Sequence, residues 1–292
     1  VAALPLADVV LRDTVISATS ASSYRQYVAM DAGNTLVGRA GDITAIAAIE
    51  FYPSYFPIRD TALVYKATLR LRMEIWSGDA NGQLSFTVHR IQRSWSSSTL
   101  TWDSVQTAFY DPVVRGSYSG TLSADTEMVS VDLDTAMVRE WIRTQAGGST
   151  LQYGIALVPT SSSTLIRGFR AFGYDSAAAY PQVVIVAGSA TGAARDTTTY
   201  SYGIDTFAGN VDNPASDPTL LVCQAGVTYR SQIEFPVAFI PRGAIINRAQ
   251  LIMQRDPVTS RLTKFSSDSS AAANLITASG APPTFESGFA AG

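Results

Sequence analysis

The sequence predicts an all-β protein: a jelly-roll-like β-sandwich with one short helix, followed by a second, partial β-sandwich copy. Three observations carry that expectation. Apolar and polar residues alternate over short runs bounded by turn residues, the two-residue period of half-buried strands. Only one stretch, around Trp141, has helical spacing. The chain also repeats itself, with Arg12-Asp13-Thr14 returning as Arg195-Asp196-Thr197, an offset of 195 − 12 = 183.

Bulk properties narrow the class. Of 292 residues, 46% are hydrophobic and 15% charged, so the chain can bury a core and is not disordered. A net charge of −3 excludes the strongly basic surface of a nucleic-acid binder. No apolar run is long enough for a membrane-spanning helix. Cys223 is the single cysteine, so no intrachain disulfide and no cysteine-based zinc site can form. The first residues lack an initiator Met and a basic n-region, which reads as a processed or truncated end.

The elements follow in order. From Leu69 to Trp76 the chain alternates: Leu69, Leu71, Met73 and Ile75 point one way, and Arg70, Arg72, Glu74 and Trp76 the other. Gly78 to Gly82 contains Asn81-Gly82, a hairpin cue, and Leu84 to Ile91 alternates again on the way back. Further strands are expected at Met128–Leu133, Tyr153–Val158, Leu165–Phe172 and Gln182–Val186. Between them, Asp134 or Thr135 can cap a helix that Gly147-Gly148 would end. Met137, Val138, Trp141 and Ile142 form its apolar face.

The repeat divides the chain. Leu220-Leu221-Val222 echoes Thr35-Leu36-Val37, Ile233-Glu234-Phe235 echoes Ile49-Glu50-Phe51, and Ala249-Gln250-Leu251 echoes Ala67-Thr68-Leu69. Thr284-Phe285-Glu286-Ser287 returns Thr101-Trp102-Asp103-Ser104. A complete module is therefore expected over 1–187, a Gly/Ala-rich linker over 188–194, and a partial module over 195–292. The second copy has no equivalent of Val129–Asp132, of the Trp141 helix or of the last three strands. Three accounts fit: the natural chain continues, a neighbouring subunit donates the missing strands, or the second copy survives by packing on the first.

The first copy resembles a known family. An early strand Asp8-Val9-Val10-Leu11 precedes Leu36-Val37-Gly38, Ala48-Ile49-Glu50-Phe51, Phe56-Pro57 and Ala67-Thr68-Leu69-Arg70-Leu71. Trp95 and Thr101-Trp102 follow, then Val131-Asp132-Leu133 leading to Val138 and Trp141, Tyr153 to Leu157, and a closing Tyr180-Pro181-Gln182-Val183. This order is similar to the DNRLRE-type module, related to the carbohydrate-binding module of disaggregatase-like and alginate-associated proteins. Such modules usually carry an Arg where this chain has Ala45-Ile46-Ala47-Ala48, whereas the second copy keeps Tyr229-Arg230-Ser231-Gln232. The resemblance implies a jelly-roll-like sandwich, usually on secreted multi-module proteins, acting as a binding or structural unit without catalysis.

Catalytic motifs are scarce. His89 is the only histidine, so any Ser-His-Asp triad would have to use it, and no G-x-S-x-G elbow is present. One His and one Cys leave little for a transition metal. Calcium needs only oxygens, which leaves it open as a cofactor; Asp205, Asp212 and Asp217 in a turn-rich stretch are the candidates, with Asp132 and Asp134 better read as a strand end and a helix cap. Sugar binding would need aromatic faces, for which Trp76, Tyr52, Tyr55 and Tyr174 are the candidates. Trp95, Trp102 and Trp141 match packing positions of the resembled module.

The low charge and the Ser/Thr/Gly/Ala-rich strands fit an extracellular or cell-surface protein, or a virion component. The expected function is structural and non-catalytic. It would assemble through β-modules with copies of itself or filament neighbours, with strand complementation between subunits as one route. The alternative is a carbohydrate-binding module pair on a secreted enzyme or adhesin, with a polysaccharide partner.

Overall fold

The computed structural model describes residues 13–27, 29, 33–52, 58, 61–106, 108–121, 126–145, 152–173, 178–189, 195–212, 220–223, 229–246 and 248–258. Among them the fold is all-β and sandwich-like, with a single α-helix. The strands are β1 (Ser20–Arg25), β2 (Asn34–Ala40), β3 (Ile43–Phe51), β4 (Leu63–Gly78), β5 (Gln83–Arg90), β6 (Gly116–Thr121) and β7 (Met128–Asp132). After helix α1 (Thr135–Gln145) come β8 (Ile155–Pro159), β9 (Leu165–Arg170), β10 (Gln182–Gly188), β11 (Arg195–Tyr200), β12 (Gly203–Val211) and β13 (Tyr229–Glu234).

One long strand joins two layers. The first half of β4 pairs with β10 and β7, and β11 extends that sheet beyond β10. The second half of β4 pairs with β9, which leads through β2, β3, β8 and β5 to β6. Leu69, Leu71, Val129, Val131, Val183 and Ile185 from the first layer share one core with Val37, Ile49, Phe86, Val88, Ile155 and Leu157 from the second. Each is the inward member of an alternating strand, so burial follows from pattern. Helix α1 closes this core with Met137, Val138, Trp141 and Ile142, all within 1% of full burial. The Trp141 and Phe51 ring centroids lie 6.1 Å apart. Asp134 caps the helix by accepting a hydrogen bond from the Ala136 N–H at 2.8 Å.

Two sequence expectations are corrected here. The turn after Gly78 forms, with the Gly82 N–H donating to the Asp79 carbonyl at 2.9 Å. Its flanking strands then part: β4 joins β9, and β5 joins β8 and β6. Thr164 takes both backbone groups of Gln83, accepting from its N–H and donating to its carbonyl, each at 2.9 Å, so the hairpin partner is displaced. The alternation of β4 also breaks, by a register shift between Met73 and Ile75. Past that bulge Ser77 is buried, and Trp76, expected on the outer face, packs half-buried against the main core.

The expected division at 188–194 does not separate the strands. β11 and β12 lie in the second sequence copy, yet β11 pairs with β10 and β12 pairs with β3 along its whole length, Gly203 opposite Phe51 through Val211 opposite Ile43. Conversely β1, from the first copy, pairs with β13 of the second in a separate two-stranded sheet. Residues 236–258, where described, contain no strand. There Leu251 and Met253 are 44% and 54% exposed, whereas Leu69 and Leu71, the matching residues of β4, are fully buried.

Candidate functional site

Strand β3 is covered on both faces, which explains its small residues. Ala47, Ile49 and Phe51 enter the main core. Ile46 and Ala48 face outward under a second cluster that holds Ile91, Leu100, Val105 and Phe109, with Trp95 and Trp102 packed against it. The 3-10 turn at Asp103–Val105 sits in this cover. The alanines at 45, 47 and 48 thus stand where a longer polar side chain would be buried unpaired. In β13 the matching run, Tyr229 to Gln232, is only half-buried, and there Arg230 and Gln232 are accommodated.

Strand β12 occupies the edge of β3. Phe207 is 4% exposed and packs with Ala40, Ala45 and Ile166, flanked by Leu36 and Ile43. Asp205, buried, accepts hydrogen bonds from the Phe172 N–H at 2.8 Å and from the Thr35 hydroxyl, tying β12 to β2 and to the end of β9. Gly203 is required by closeness: a Cβ there would lie 2.0 Å from the Glu50 carbonyl oxygen. Glu50 faces Ile204 across the ladder, and burial pushes its carboxyl up to about 6.

A small pocket opens beside this edge. Tyr52, Ser97, Phe172, Gly173, Gly203, Ile204 and Asp205 line about 180 Å³, below the roughly 300–1,000 Å³ of ordinary small-molecule sites. Tyr52 packs edge-on against Tyr202, ring centroids 5.6 Å apart. Two residues nominated for different chemistries, Tyr52 for sugars and Asp205 for calcium, therefore share one depression.

The remaining nominees do not converge. Tyr55, Tyr174 and Asp217 lie outside the described residues. Asp212 is exposed beyond the far end of β12 and accepts from the Asn210 amide at 2.7 Å. Seven residues of extended chain put it about 23 Å from Asp205, so these two cannot ligate one ion. Among the described residues no three His, Cys, Asp or Glu side chains form a metal-sized group. Trp76 is partly buried against the main core and does not join Tyr52 and Asp205 in the pocket lining. His89 is buried with both ring nitrogens engaged, Nδ1 to the Asp111 carbonyl at 2.9 Å and Nε2 to the Thr87 hydroxyl at 2.8 Å.

Beside His89 lies a network of charges. The buried Asp111 carboxylate is 3.5 Å from Arg90 and 3.6 Å from Arg115. Arg90 continues to Glu140 at 2.9 Å and Arg115 to Asp134 at 2.6 Å. Burial raises the Asp134 carboxyl, but the Arg115 hydrogen bond and the helix N–H groups outweigh it and hold the group below its ordinary value. This network fastens α1 to the strand loops.

The second ladder, β1 with β13, is polar. The Ser23 and Ser231 hydroxyls are 2.9 Å apart, and the Val222 N–H donates to Ser23 at 2.7 Å while Ser231 donates to the Val222 carbonyl at 3.0 Å. Arg25 donates to the Tyr229 hydroxyl at 2.8 Å and Ser20 to the Glu234 carboxylate at 3.0 Å. None of these residues was nominated from sequence. The repeat held the signal, because Tyr24 matches Phe207 and Ser20 matches Gly203. No protein-family model matches the chain, and no curated protein matches it.

Proposed function

We propose that this protein is a non-catalytic structural component of a cell surface, extracellular filament or virion, assembling through its β-modules. The observation that carries this reading is the crossing of strands between sequence copies: β12 of the second fills the β3 edge of the first. A module that completes its sheet with the strand of the next is suited to building chains of modules. The exposed Leu251, Ile252 and Met253 add apolar surface of the kind that a neighbour covers. The similarity to DNRLRE-type modules, which serve as structural or binding units, points the same way. The test is analytical ultracentrifugation with negative-stain electron microscopy over a range of concentrations. Growing oligomers or filaments are expected, and a monomer at every concentration refutes the reading.

A second reading, carbohydrate binding, is favoured by Tyr52 and Phe172 in the small pocket, since aromatic faces stack on sugar rings. It predicts saccharide binding by calorimetry that Tyr52→Ala abolishes. No heat with a panel of polysaccharides removes it.

A further inference from the structure

The two crossed ladders are copies of one joint. By the repeat, Ser20 matches Gly203 (203 − 20 = 183) and Phe51 matches Phe235 (235 − 51 = 184). Gly203 faces Phe51, and Ser20 faces Glu234, the neighbour of Phe235. Both ladders are antiparallel, join the strand that corresponds to β1 in one copy to the strand that corresponds to β3 in the other, and agree in register to within one residue. Their surroundings differ. The β12–β3 joint is buried and anchored by Phe207, so it is permanent. The β1–β13 joint is a two-stranded ribbon of six residues a side, mostly exposed on β1. Ribbons of that size are marginal alone in water.

The direction of the permanent joint fixes what the other is. If each module's β3-type strand takes the β1-type strand of the following module, as β3 takes β12, then β1 is a donor strand and β13 an acceptor strand of the same kind. Pairing them within a chain closes a ring; pairing them between chains makes a head-to-tail series with the same hydrogen bonds. Resting on the structural reading above, we propose that β1 is an exchangeable donor strand that seats on β13 of a second copy of this chain, with Ser23–Ser231 and Arg25–Tyr229 setting the register. The polar side chains on both strands suit a joint that forms from, and returns to, water.

Cysteine trapping in the full chain tests this. In a C223S background, which removes the exposed native thiol, one population carries S23C and another S231C. After mixing and mild oxidation, a disulfide-linked heterodimer on a non-reducing gel is expected, and the double variant should give dimers and higher rungs. S22C with Q232C, the adjacent facing pair, repeats the test should the serine positions not tolerate change. Only an intrachain disulfide, or no heterodimer from either mixed pair, overturns the proposal. If the wild type still assembles in the ultracentrifuge, the assembly reading survives and another surface carries it; a wild type that stays monomeric sinks both.

Discussion

Phe207→Ala gives the sharpest test of how β12 is held. Its ring is 4% exposed and fills a small separate cluster with Ala40, Ala45 and Ile166. A phenyl group removes on the order of 130 Å² of apolar surface from water, about 3 kcal/mol at 25 cal/mol per Å². Measured Phe→Ala costs of about 3–5 kcal/mol bracket that figure. The lower end applies, because a small separate cluster can partly collapse. At roughly 2–4 °C per kcal/mol for a domain of this size, the melting temperature should fall by about 6–12 °C. The matching residue of the other ladder, Tyr24, is only partly buried and belongs to none of the core clusters, so Tyr24→Ala should cost less than about 1 kcal/mol. Denaturant unfolding gives both numbers, and hydrogen exchange should show protection lost first along 203–211 and 43–51 in the Phe207 variant. A Phe207→Ala protein within about 1 kcal/mol of wild type, or a Tyr24→Ala protein equally damaged, would refute the division into a permanent and an exchangeable joint.

Gly203→Ala should unseat the start of β12, since the new methyl meets the Glu50 carbonyl at 2.0 Å; a loss of about 2 kcal/mol or more is expected from the backbone shift, whereas Ser20→Ala at the matching position of β1 should be near neutral by the same unfolding assay. Glu50 holds its proton up to about pH 6 in the folded chain against an ordinary value of 4.5, so the folded state binds more protons in between and stability falls as pH rises through that window. The full shift corresponds to about 2 kcal/mol, reduced to about 1 kcal/mol by partial solvation. Glu50→Gln should therefore flatten the melting temperature between pH 4.5 and 6 and raise it above pH 6, and a variant that tracks wild type at every pH contradicts this. Asp134 is shifted the other way: its contribution is present above its unfolded value and lost as pH falls through the folded one. Asp134→Ala should cost about 1–2 kcal/mol at neutral pH through the lost cap and Arg115 pair, with the difference from wild type shrinking in acid.

Much of the sandwich was readable from local pattern. Leu69, Leu71 and Met73 are buried because a two-residue period admits only one inward set, and the helix follows from its Asp134 cap and the four-residue spacing of Met137 and Trp141. Local pattern does not encode which edges meet. β12 carries Phe207 and Ala208, which mark a strand to be buried, but its partner β3 lies about 160 residues earlier, where sequence spacing is silent. The bulge at Glu74 was equally invisible, because a single extra residue in one strand leaves composition unchanged while re-aiming Trp76. Gly168 held a trace of it: Ile75 packs so closely that a Cβ there would be 2.4 Å from its side chain. Asp205 looked like a metal ligand because carboxylates in turn-rich sequence often are, and only the fold shows Thr35 and the Phe172 N–H already holding its two oxygens.

The sharing of β4 between the layers has a consequence in time. Its partners β7, β9 and β10 lie 50 to 110 residues downstream, counting from Gly78 to Met128 and to Gly188. At a synthesis rate of about 5–20 residues per second, Leu69, Leu71 and Met73 leave the ribosome roughly 5 to 20 seconds before β10 can cover them. Lys66, Arg70 and Arg72, which alternate with them, place charge along the waiting strand and oppose its pairing with a copy on a neighbouring nascent chain. The charged outer face of this strand thus guards the protein before it has a fold.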